Sequence, residues 1–367
     1  MAGSIDEDLK HFLNAMVSKR VCPGCVAFIC DSNGPIFSHT TGSRALLPQP
    51  LPMTEDTLFD LASVSKVVST TMVAARLVDM RALDYKHTIG HFLTFSGNYR
   101  DVTLLQLLTH SGGFIPELRL WDNISDPDDA IRFILSLPPI ASPGTSYTYS
   151  CFGFIVLGKI LEIVFGAPLD KAAQELVFGP LGMSDTTYNP LDSVRFAVRP
   201  IASTERNSDT GTIICGTVHD ENARFLGGVA GNAGVFSTAG DIHRFLRMLL
   251  HGGNGDRGQF LSPDRIGEFS TDFTPFAPVG RGIGFLLGVR GDTPLGHVSA
   301  PRSYGHTGFT GTSIWIDPER DAAVCLLSNR VHPMRTDTRL LEQRKIFHNL
   351  AFTYADAYHK EIKGIQK

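Results

Sequence analysis

Cysteine, tryptophan and clustered basic residues are scarce in this sequence, and each scarcity excludes a class of protein. The 367 residues include six cysteines and two tryptophans, too few cysteines for a small disulfide-stapled scaffold. The 33 basic and 37 acidic side chains give a formal net charge of -4, and the basic residues form no run. We therefore expect no nucleic acid and no membrane surface as a partner, and instead a small, uncharged or mildly polar molecule.

Long hydrophobic runs are also missing. Residues 1–12 carry acidic side chains and contain no apolar segment of the secretory type. The most apolar window, residues 152–169, is interrupted by Lys159 and Glu162, so we expect a buried helix there rather than a bilayer span. On this basis the protein is expected to be cytoplasmic, with reduced thiols.

Signatures of cofactor and metal sites are absent or incomplete. The sequence has no Walker-type phosphate loop, no dinucleotide fingerprint and no Gly-x-Ser-x-Gly elbow. Cys22 and Cys25 have the spacing of half a zinc or redox site, but no second close pair of cysteine or histidine accompanies them. His219, Asp220 and Glu221 are adjacent on a predicted loop, where neighbouring side chains point in different directions. We expect no cofactor and no metal, and interpret both groups as structural turns.

What the sequence does contain is a change of periodicity along the chain. Two β-prone runs within residues 26–42, and two more within 311–329, each flank a tight turn. From about residue 70 to 226, apolar residues recur mostly at helical spacing and the segments end at glycine or proline. A helix is predicted before the first hairpin, and a final helix from about 338 to 362.

Strands at both ends around a helical block predict an α+β fold. We expect one catalytic domain over residues 1–367, with an antiparallel sheet built from both termini and flanked by helices, beside an all-α lobe. The α/β lobe would comprise residues 1–60 and 227–367, and the mainly helical lobe residues 61–226. A cleft between two such lobes is where a functional site is expected.

The apolar stretch that begins at Leu58 carries the first candidate chemistry. Ser63 and Lys66 are three residues apart, so in a helix beginning at Ser63 or Val64 the hydroxyl and the ammonium lie on one face. A serine becomes a nucleophile when a neighbour takes its proton, and burial can lower the pKa of a lysine towards neutrality. The helix N-terminus adds backbone N–H groups that favour an oxyanion. The alternative interpretation of the Ser-x-x-Lys motif is an N-capping serine followed by an exposed lysine. Ser65 lies off the face that Ser63 and Lys66 share, and it is the weaker candidate for the nucleophile.

Two later segments strengthen this interpretation. Tyr149 precedes a predicted helix, from where its side chain can reach a cleft, and a tyrosine flanked by cations can relay protons. His306, Thr307 and Gly308 lead into a predicted buried strand, and Gly308 allows the backbone to approach a ligand closely. The N–H of Phe309 is then a second candidate oxyanion donor beside that of the serine.

Three motifs in this order resemble those of the serine β-lactamase and penicillin-binding-protein superfamily. Its elements are Ser-x-x-Lys, Tyr-x-Asn and Lys/His-Thr-Gly, and the detail is most similar to class C β-lactamases and the related esterases and D-amino-acid peptidases. Segments such as "LLQLLTHSGGF", "VFGPLGMSDTTY" and "GHTGFTGTSIWIDPERDAAVCLLSNRVHP" also look like family landmarks, so the resemblance covers about residues 21–333. It implies a β-lactamase/transpeptidase-like fold and serine-hydrolase activity without a cofactor.

The resemblance also implies a role for each candidate residue. Ser63 would be the acylated nucleophile, and Lys66 and Tyr149 the proton-transfer pair. The N–H groups of Ser63 and Phe309 would form the oxyanion hole. His306 would take the place often held by lysine and would line the substrate cleft together with the Thr-Gly that follows it.

Cys151 departs from the family's pattern, which usually has an asparagine there to hydrogen-bond the substrate amide. A thiol is a weak donor and acceptor, so simple esters are favoured as substrates over β-lactams and peptides. Asn232 stands where the resemblance leads us to expect a histidine, and the sequence offers no chemical account of it. His110 ends a predicted helix and is interpreted as a satisfied structural residue.

The expected function is hydrolysis of a small ester or amide through an acyl-enzyme on Ser63, most like that of a carboxylesterase. The alternatives are a D-amino-acid peptidase or amidase, a weak β-lactamase, an acyltransferase, and a binding or structural relative without turnover. The intact set of Ser63, Lys66, Tyr149 and His306 favours an enzyme.

Overall fold

The computed structural model of the protein describes residues 2–291, 293–298 and 300–365. The helices in these ranges are α1 (Ala2–Ser18), α2 (Thr71–Asp79), α3 (Ile89–Phe92), α4 (Leu104–Leu108), α5 (Ala130–Ser136), α6 (Cys151–Phe165), α7 (Leu169–Ala173), α8 (Gly179–Leu181), α9 (Val194–Ala197), α10 (Glu221–Phe225), α11 (Ala239–Leu250), α12 (Pro263–Phe269) and α13 (Arg339–Ile365).

The strands are β1 (Gly24–Asp31), β2 (Gly34–Ala45), β3 (Leu51–Pro52), β4 (Phe59–Asp60), β5 (Thr187–Tyr188), β6 (Val235–Ser237), β7 (Asn254–Gly255), β8 (Gly258–Gln259), β9 (Leu286–Leu287), β10 (Tyr304–Thr307), β11 (Ser313–Asp317) and β12 (Ala322–Ser328). They form a seven-stranded sheet in the order β3-β2-β1-β12-β11-β10-β9, a three-stranded sheet β4-β6-β5 and a hairpin β7-β8.

The seven-stranded sheet joins the two ends of the chain. Its central pair is β1 with β12, antiparallel, with Cys25 opposite Ser328. Both predicted hairpins are present, as β1-β2 and β11-β12, and the predicted last helix is α13. The α+β fold with an antiparallel sheet built from both termini is therefore confirmed.

The two central strands are buried on both faces. Along β1, Val26 and Phe28 belong to the large core that also contains the helical block, whereas Ala27 and Ile29 belong to a second core under α1 and α13. Side chains alternate between faces along a strand, so this sheet separates two hydrophobic layers. Such burial accounts for the nearly continuous apolar sequence of β1 and β12.

Helix α6 is the predicted buried helix, and it runs through the large core. It ends where Gly166 adopts a φ of 83°, the left-handed conformation that favours glycine after a helix. Among the described residues no single helix is long and apolar enough to cross a membrane, while α6 and residues 169–181 pass that test only as a pair bent by 74°.

The helix predicted to begin at Ser63 or Val64 is less regular than expected. A 3-10 turn covers Ala62–Val64, a turn with π-type hydrogen bonds covers Lys66–Thr70, and α2 begins only at Thr71. Ser63 and Lys66 still face each other, because three residues span about one turn in either geometry. The division into lobes at 60/61 and 226/227 stays a prediction, and the sheet β4-β6-β5 takes strands from both sides of it.

Candidate active site

A buried carboxylate holds the turn that presents Ser63. Oδ1 of Asp60 accepts a hydrogen bond from the Ala62 N–H (2.8 Å), and Oδ2 accepts one from the His219 N–H (2.6 Å). Ala62 has a φ of 47°, in the left-handed region that alanine rarely adopts. Ser63 is the middle residue of the 3-10 turn that follows, so Asp60 fixes the bend from which the serine projects.

Lys66 lies against the Ser63 hydroxyl. Its Nζ donates to Ser63 Oγ (3.0 Å) and to the backbone oxygen of Asn232 (2.9 Å), with a longer contact of 3.7 Å to Cys151 Sγ. The lysine is fully buried within a π-type turn, a form that is frequent at functional sites. The alternative of an exposed lysine is excluded, and the predicted hydroxyl and ammonium lie together.

Both members of the predicted proton-transfer pair hold their protons tightly. Burial lowers the pKa of Lys66, but attraction to ionised Cys151 and Tyr149 outweighs it and raises that pKa to about 12. Burial raises the pKa of Tyr149, although the charge of Lys66 and a hydrogen bond with Ser63 act in the opposite direction. Burial acts on the Lys66 pKa in the direction that the sequence favours, and the net rise depends on the negative charges of ionised Cys151 and Tyr149. The protonation of Lys66 is therefore coupled to that of Tyr149.

Tyr149 lies at the centre of the site, two residues before α6. Ser150 caps that helix with its hydroxyl, which fixes the direction in which the chain enters the helix. The Tyr149 ring centroid is 4.4 Å from that of His110 and 6.0 Å from that of His306. Lys66 Nζ is 5.2 Å from the same centroid. The tyrosine thus connects the serine-lysine turn with the histidine of β10.

His110 packs against Tyr149 and is not the satisfied helix-end residue that the sequence favoured. Its Nδ1 accepts a hydrogen bond from the Ser150 N–H (3.1 Å), so the neutral ring carries its proton on Nε2. That buried nitrogen has no hydrogen-bond partner among the described residues. Burial and the charges of Arg281 and Lys66 hold the pKa of His110 well below its ordinary value. His110 is a neutral ring that supports the tyrosine.

His306 faces the site from β10 with an open acceptor. Its Nδ1 lies 2.9 Å from the backbone oxygen of Thr307, and because a carbonyl can only accept, the neutral ring has its lone pair on Nε2. This buried Nε2 has no partner within the described part of the chain. Burial and the charges of Arg281 and Lys66 hold the pKa of His306 well below its ordinary value. His306 can therefore accept a hydrogen bond from a substrate.

The turn between β10 and β11 docks on the chain just before the candidate nucleophile. The hydroxyls of Thr310 and Thr312 donate to the backbone oxygens of Asp60 (2.8 Å) and Leu61 (2.9 Å). A Cβ at Gly308 would lie 2.1 Å from Thr312 Oγ1 and 2.5 Å from the Leu61 oxygen. Only glycine permits so close an approach.

Two backbone N–H groups at this contact are available for an oxyanion. The Gly308 N–H donates to the Thr312 oxygen (2.7 Å) and is already used. Over the ranges that the structure describes, the N–H groups of Ser63 and Phe309 have no protein acceptor, and both residues line the same cavity. These are the two donors that the resemblance implied.

Cys151 and Asn232 adjoin the lysine from α6 and from the loop before β6. Burial raises the pKa of the Cys151 thiol, and the nearby Asn232 amide lowers it slightly. Neither atom of the Asn232 side chain meets hydrogen-bond geometry with another described residue. Its backbone oxygen, in contrast, is one of the two oxygens that hold Lys66. Asn232 therefore orients the lysine through its main chain.

One cavity of about 480 Å³ brings most of the predicted site residues together. Its lining includes Ser63, Tyr149, His306, Thr307, Gly308 and Phe309. Lys66 and Cys151 do not line the cavity and are buried beneath its wall.

Eight further lining residues were not singled out from the sequence. They are Tyr147, Arg281, Leu286, Arg330, Arg335, Thr338, Leu341 and Arg344. The two-residue spacing between Tyr147 and Tyr149 in an extended segment was a usable signal, because such residues point to one side. The sequence favours the loops around residues 114–123, 190–225 and 274–285 as walls of the cleft. Of these segments, only 274–285 contributes a described residue to the lining of this cavity, Arg281, whereas Arg330, Arg335 and Arg344 come from segments that no motif marked.

The predicted absence of a metal site remains a prediction. His219 does not gather acidic neighbours around a metal, since its Nε2 pairs with Glu205 at 3.0 Å. In the described chain, Asp31, Asp321 and His359 come close enough to share an ion. The carboxylate of Asp31, however, accepts two backbone N–H groups of the β1-β2 turn and contacts His359, which is typical of a structural cluster.

Sequence comparisons show a close match across the chain. The profile of the Beta-lactamase family matches residues 9–347. A protein of Escherichia coli O157:H7, provisionally named D-alanyl-D-alanine carboxypeptidase, is 31% identical over 343 residues, which cover 84% of this chain and 79% of that protein. A protein of strain K12 with the same provisional name is 32% identical over 314 residues, which cover 78% of this chain and 72% of that protein.

Solved structures share the fold at low identity. A variant of simvastatin synthase from Aspergillus terreus has a TM-score of 0.76 at 20% identity, covering 97% of this chain and 99% of its own. EstCE1, described as a hydrolase with promiscuous acyltransferase activity, has a TM-score of 0.74 at 20% identity, covering 95% and 99%. The octameric penicillin-binding protein homologue from Pyrococcus abyssi has a TM-score of 0.70 at 21% identity, covering 88% and 73%. The predicted β-lactamase/transpeptidase-like fold is confirmed.

Proposed function

The chain belongs to the beta-lactamase family of serine hydrolases, and from this premise we propose that it is a carboxylesterase that works through an acyl-enzyme on Ser63. The observation that carries the proposal is the 3.0 Å hydrogen bond from Lys66 Nζ to Ser63 Oγ. A hydroxyl, a proton-transfer group and two backbone donors around one cavity are what acyl transfer requires.

Acylation begins with attack of Ser63 Oγ on the ester carbonyl. The active form of the Lys66/Tyr149 pair has already lost one proton, so it can accept the proton of the Ser63 hydroxyl. The carbonyl oxygen becomes an oxyanion, which the N–H groups of Ser63 and Phe309 stabilise. As the ester bond breaks, the pair returns the proton to the leaving alcohol, and the acyl group remains on Ser63.

Deacylation repeats these steps with water as the nucleophile. The Lys66/Tyr149 pair takes a proton from the water as its oxygen attacks the acyl carbonyl, and the same two N–H groups hold the second oxyanion. As the bond to Ser63 Oγ breaks, the pair returns the proton to the serine, and the carboxylic acid is released. Neutral His306 offers its Nε2 lone pair to a donor on the substrate. No cofactor takes part in this proposal.

An ester is favoured over an amide because of Cys151. The thiol is buried beneath the cavity wall, with 7% of the residue exposed, so this position offers a substrate amide no strong hydrogen-bond partner. Esters lack the N–H that needs such a partner, and their leaving group departs more easily.

Hydrolysis of a D-amino-acid peptide or amide is the second candidate. It is supported by the provisional name of the Escherichia coli relatives, which are 31% and 32% identical to this chain. Weak β-lactamase and acyltransferase activities remain alternatives to be measured on the same enzyme.

The test of the nucleophile compares two neighbouring serines. Ser63→Ala should abolish covalent labelling by a fluorophosphonate and lower ester hydrolysis by at least about 10³-fold. Ser65→Ala is the matched control, since Ser65 Oγ accepts a hydrogen bond from the Val235 N–H (3.1 Å) and is fully buried away from the cavity. It should keep the label. Labelling that survives Ser63→Ala would refute the assignment.

The substrate class is tested with a panel. We expect p-nitrophenyl esters to be turned over faster than D-aminoacyl anilides or nitrocefin. If nitrocefin or an anilide has the highest kcat/KM by far, Cys151 does not discriminate as argued and the carboxylesterase proposal is wrong.

A further inference from the structure

The turn from Cys22 to Cys25, at the start of the central sheet, brings two thiols together. The chain bends at Pro23, whose backbone oxygen accepts a hydrogen bond from the Ser43 N–H (2.9 Å). Within this bend the side chains of Cys22 and Cys25 are in hydrogen-bond contact, and both are free thiols. A disulfide forms only between sulfurs that can approach each other closely, and this pair meets that requirement.

The sheet separates this pair from the other cysteines of its central strands. Cys22 and Cys25 belong to the core under α1 and α13, whereas Cys30 and Cys325 belong to the large core on the opposite face. Burial raises the pKa of the Cys30 and Cys325 thiols, so both stay protonated and unreactive. A disulfide that includes Cys22 is therefore expected to include Cys25.

Cys22 lines a second cavity, which lies apart from the active-site cavity. The second cavity has a volume of about 590 Å³, and Arg330 is the one described residue that lines both cavities. It reaches the surface at the exposed side chains of Met334 and Arg339. Cys25 is fully buried and is not part of the described lining. A small polar reagent that enters the second cavity can therefore reach Cys22 but not Cys25.

The two thiols also differ in how readily they ionise. The hydrogen bond from Cys25 lowers the pKa of Cys22, although burial and the charge of Asp337 act in the opposite direction. The hydrogen bond with Cys22 and burial raise the pKa of Cys25 well above its ordinary value. Because the thiolate is the form that attacks, Cys22 reacts first and Cys25 keeps its proton. The second cavity imposes the same order.

We propose that Cys22 and Cys25 form a redox-sensitive dithiol that a hydroperoxide entering the second cavity oxidises to an intramolecular disulfide. The Cys22 thiolate attacks one peroxide oxygen, and the O–O bond breaks as the S–O bond forms. The other oxygen takes up a proton and leaves as water or an alcohol. The Cys25 sulfur then attacks the Cys22 sulfenic acid, so that the S–S bond forms and the second oxygen leaves as water with the Cys25 proton. The peroxide gains the two electrons that the sulfurs lose.

This inference does not rest on the proposed esterase. The second cavity contains none of the residues assigned to acyl transfer, and the reaction needs only the two thiols and a peroxide. Ser63→Ala should therefore form the disulfide as the wild type does. Failure of the esterase assignment would leave the dithiol intact, and failure of the dithiol would leave the esterase intact.

Mass spectrometry of the full chain tests the proposal. The protein is treated with a small excess of hydrogen peroxide, freed of peroxide with catalase and alkylated after unfolding. We expect the wild type to lose two of its six alkylatable thiols, together with the mass of two hydrogens, and to regain both thiols with dithiothreitol. Fragmentation of the tryptic peptide of residues 21–44, which also contains Cys30, should place the bond between Cys22 and Cys25.

Variants assign the two steps to the two sulfurs. In Cys25→Ser the reaction should stop at a Cys22 sulfenic acid, which a dimedone probe labels when the chain is unfolded in its presence. Cys22→Ser should form no disulfide, and its Cys25 should remain unlabelled. Cys215→Ser is the matched control, because it removes an exposed cysteine that lies outside the second cavity. It should form the disulfide to the wild-type extent.

Three results would overturn the proposal. The first is a wild type that keeps both thiols at a peroxide concentration that already oxidises Cys215. The second is a disulfide that joins Cys22 or Cys25 to any other cysteine. The third is dimedone labelling of Cys25 in Cys22→Ser without labelling of Cys22 in Cys25→Ser, which would refute the assigned order. If a variant of the pair does not fold, the peptide map of the wild type and of Cys215→Ser decides.

Discussion

In the proposed mechanism, the protonation of Lys66 and Tyr149 decides whether Ser63 can react. The pKa of Lys66 is raised to about 12, and burial raises that of Tyr149. The pair must lose a proton before it can accept the serine proton, so the competent fraction grows as pH rises towards these values. We predict that kcat/KM for a neutral p-nitrophenyl ester increases through the neutral and alkaline range, by up to about tenfold per pH unit, until the protein unfolds.

The same pH profile separates this pair from a histidine base. The pKa values of His110 and His306 are both held well below the ordinary range, so neither ring should change its charge between pH 6 and 8. Initial rates are measured with Ser63→Ala as the blank at every pH. A rise centred near pH 6.5 that is complete by pH 8 would contradict the assignment.

Residues within short motifs could be predicted, whereas residues that meet only in the fold could not. Ser63 and Lys66 are three apart in sequence and pair through one local turn. The pKa of Lys66 is set by burial and by the charges of Cys151 and Tyr149, more than eighty residues away, and only the effect of burial can be anticipated from the sequence around the lysine. Arg281 lies in the segment 274–285 that the sequence favours as a wall of the cleft, but no spacing rule singles out this residue as part of the lining.

At the scale of elements, the site depends on the docking of the β10-β11 turn onto the chain before Ser63. The hydroxyl of Thr312 donates to the Leu61 oxygen at 2.9 Å, and this contact brings the Phe309 N–H beside that of Ser63. The proposed oxyanion hole is thus assembled from two elements almost 250 residues apart, and its geometry depends on how closely their backbones approach.

Gly308→Ala tests that docking. The added Cβ would lie 2.5 Å from the Leu61 oxygen, so the turn must move outward and the Phe309 N–H moves with it. We predict a loss of kcat of about 10²-fold or more, together with a loss of stability of about 1–3 kcal/mol.

Gly267→Ala is the control, since nothing lies within 4 Å of the Cβ that it adds and the substitution replaces a glycine within α12. It should leave kcat unchanged and raise stability by about 0.5–1 kcal/mol. Wild-type kcat in Gly308→Ala would show that the close approach is not needed.

Regular elements could be predicted from periodicity, and irregular ones could not. The last helix was placed at residues 338–362 and is Arg339–Ile365, since a long amphipathic pattern defines a helix well. Around Ser63 the same apolar pattern is compatible with α, 3-10 and π hydrogen bonding. Only tertiary contacts, such as the bond from Thr70 Oγ1 to the Gly231 oxygen at 2.7 Å, select the observed mixture.

At the scale of the whole molecule, the two chain ends form one sheet, and α13 covers it. His348 joins that helix to the sheet and is fully buried. Its Nδ1 lies 2.8 Å from the Pro294 backbone oxygen and its Nε2 lies 3.0 Å from Ser313 Oγ. The carbonyl can only accept, so the neutral ring donates from Nδ1 and accepts at Nε2. Burial lowers the pKa of His348 to about 3, and the closure of the sheet by α13 thus requires an uncharged histidine.

This requirement makes the fold sensitive to acid. The unfolded chain binds a proton at His348 below pH about 6.5, and the native protein does so only near pH 3. The contribution of His348 is therefore complete above pH 6.5 and falls by about 1.4 kcal/mol per pH unit as pH decreases towards 3. Urea unfolding between pH 7 and 4.5 should show this decline in the wild type. Buried carboxyls such as Asp60, whose pKa is raised by burial, act in the opposite direction, so the comparison with a variant is decisive.

His348→Gln isolates the contribution of one ring. Glutamine can both donate and accept a hydrogen bond but does not bind a proton in this pH range. We therefore expect the variant to be less stable at pH 7. We also expect its unfolding free energy to depend less steeply on pH, by the slope of about 1.4 kcal/mol per pH unit that one bound proton contributes. The exposed His11 on α1 provides the control, and His11→Gln should keep the wild-type slope. If His348→Gln retains the full slope, the acid sensitivity arises from other buried histidines, such as His110 and His306, and α13 does not depend on a neutral His348.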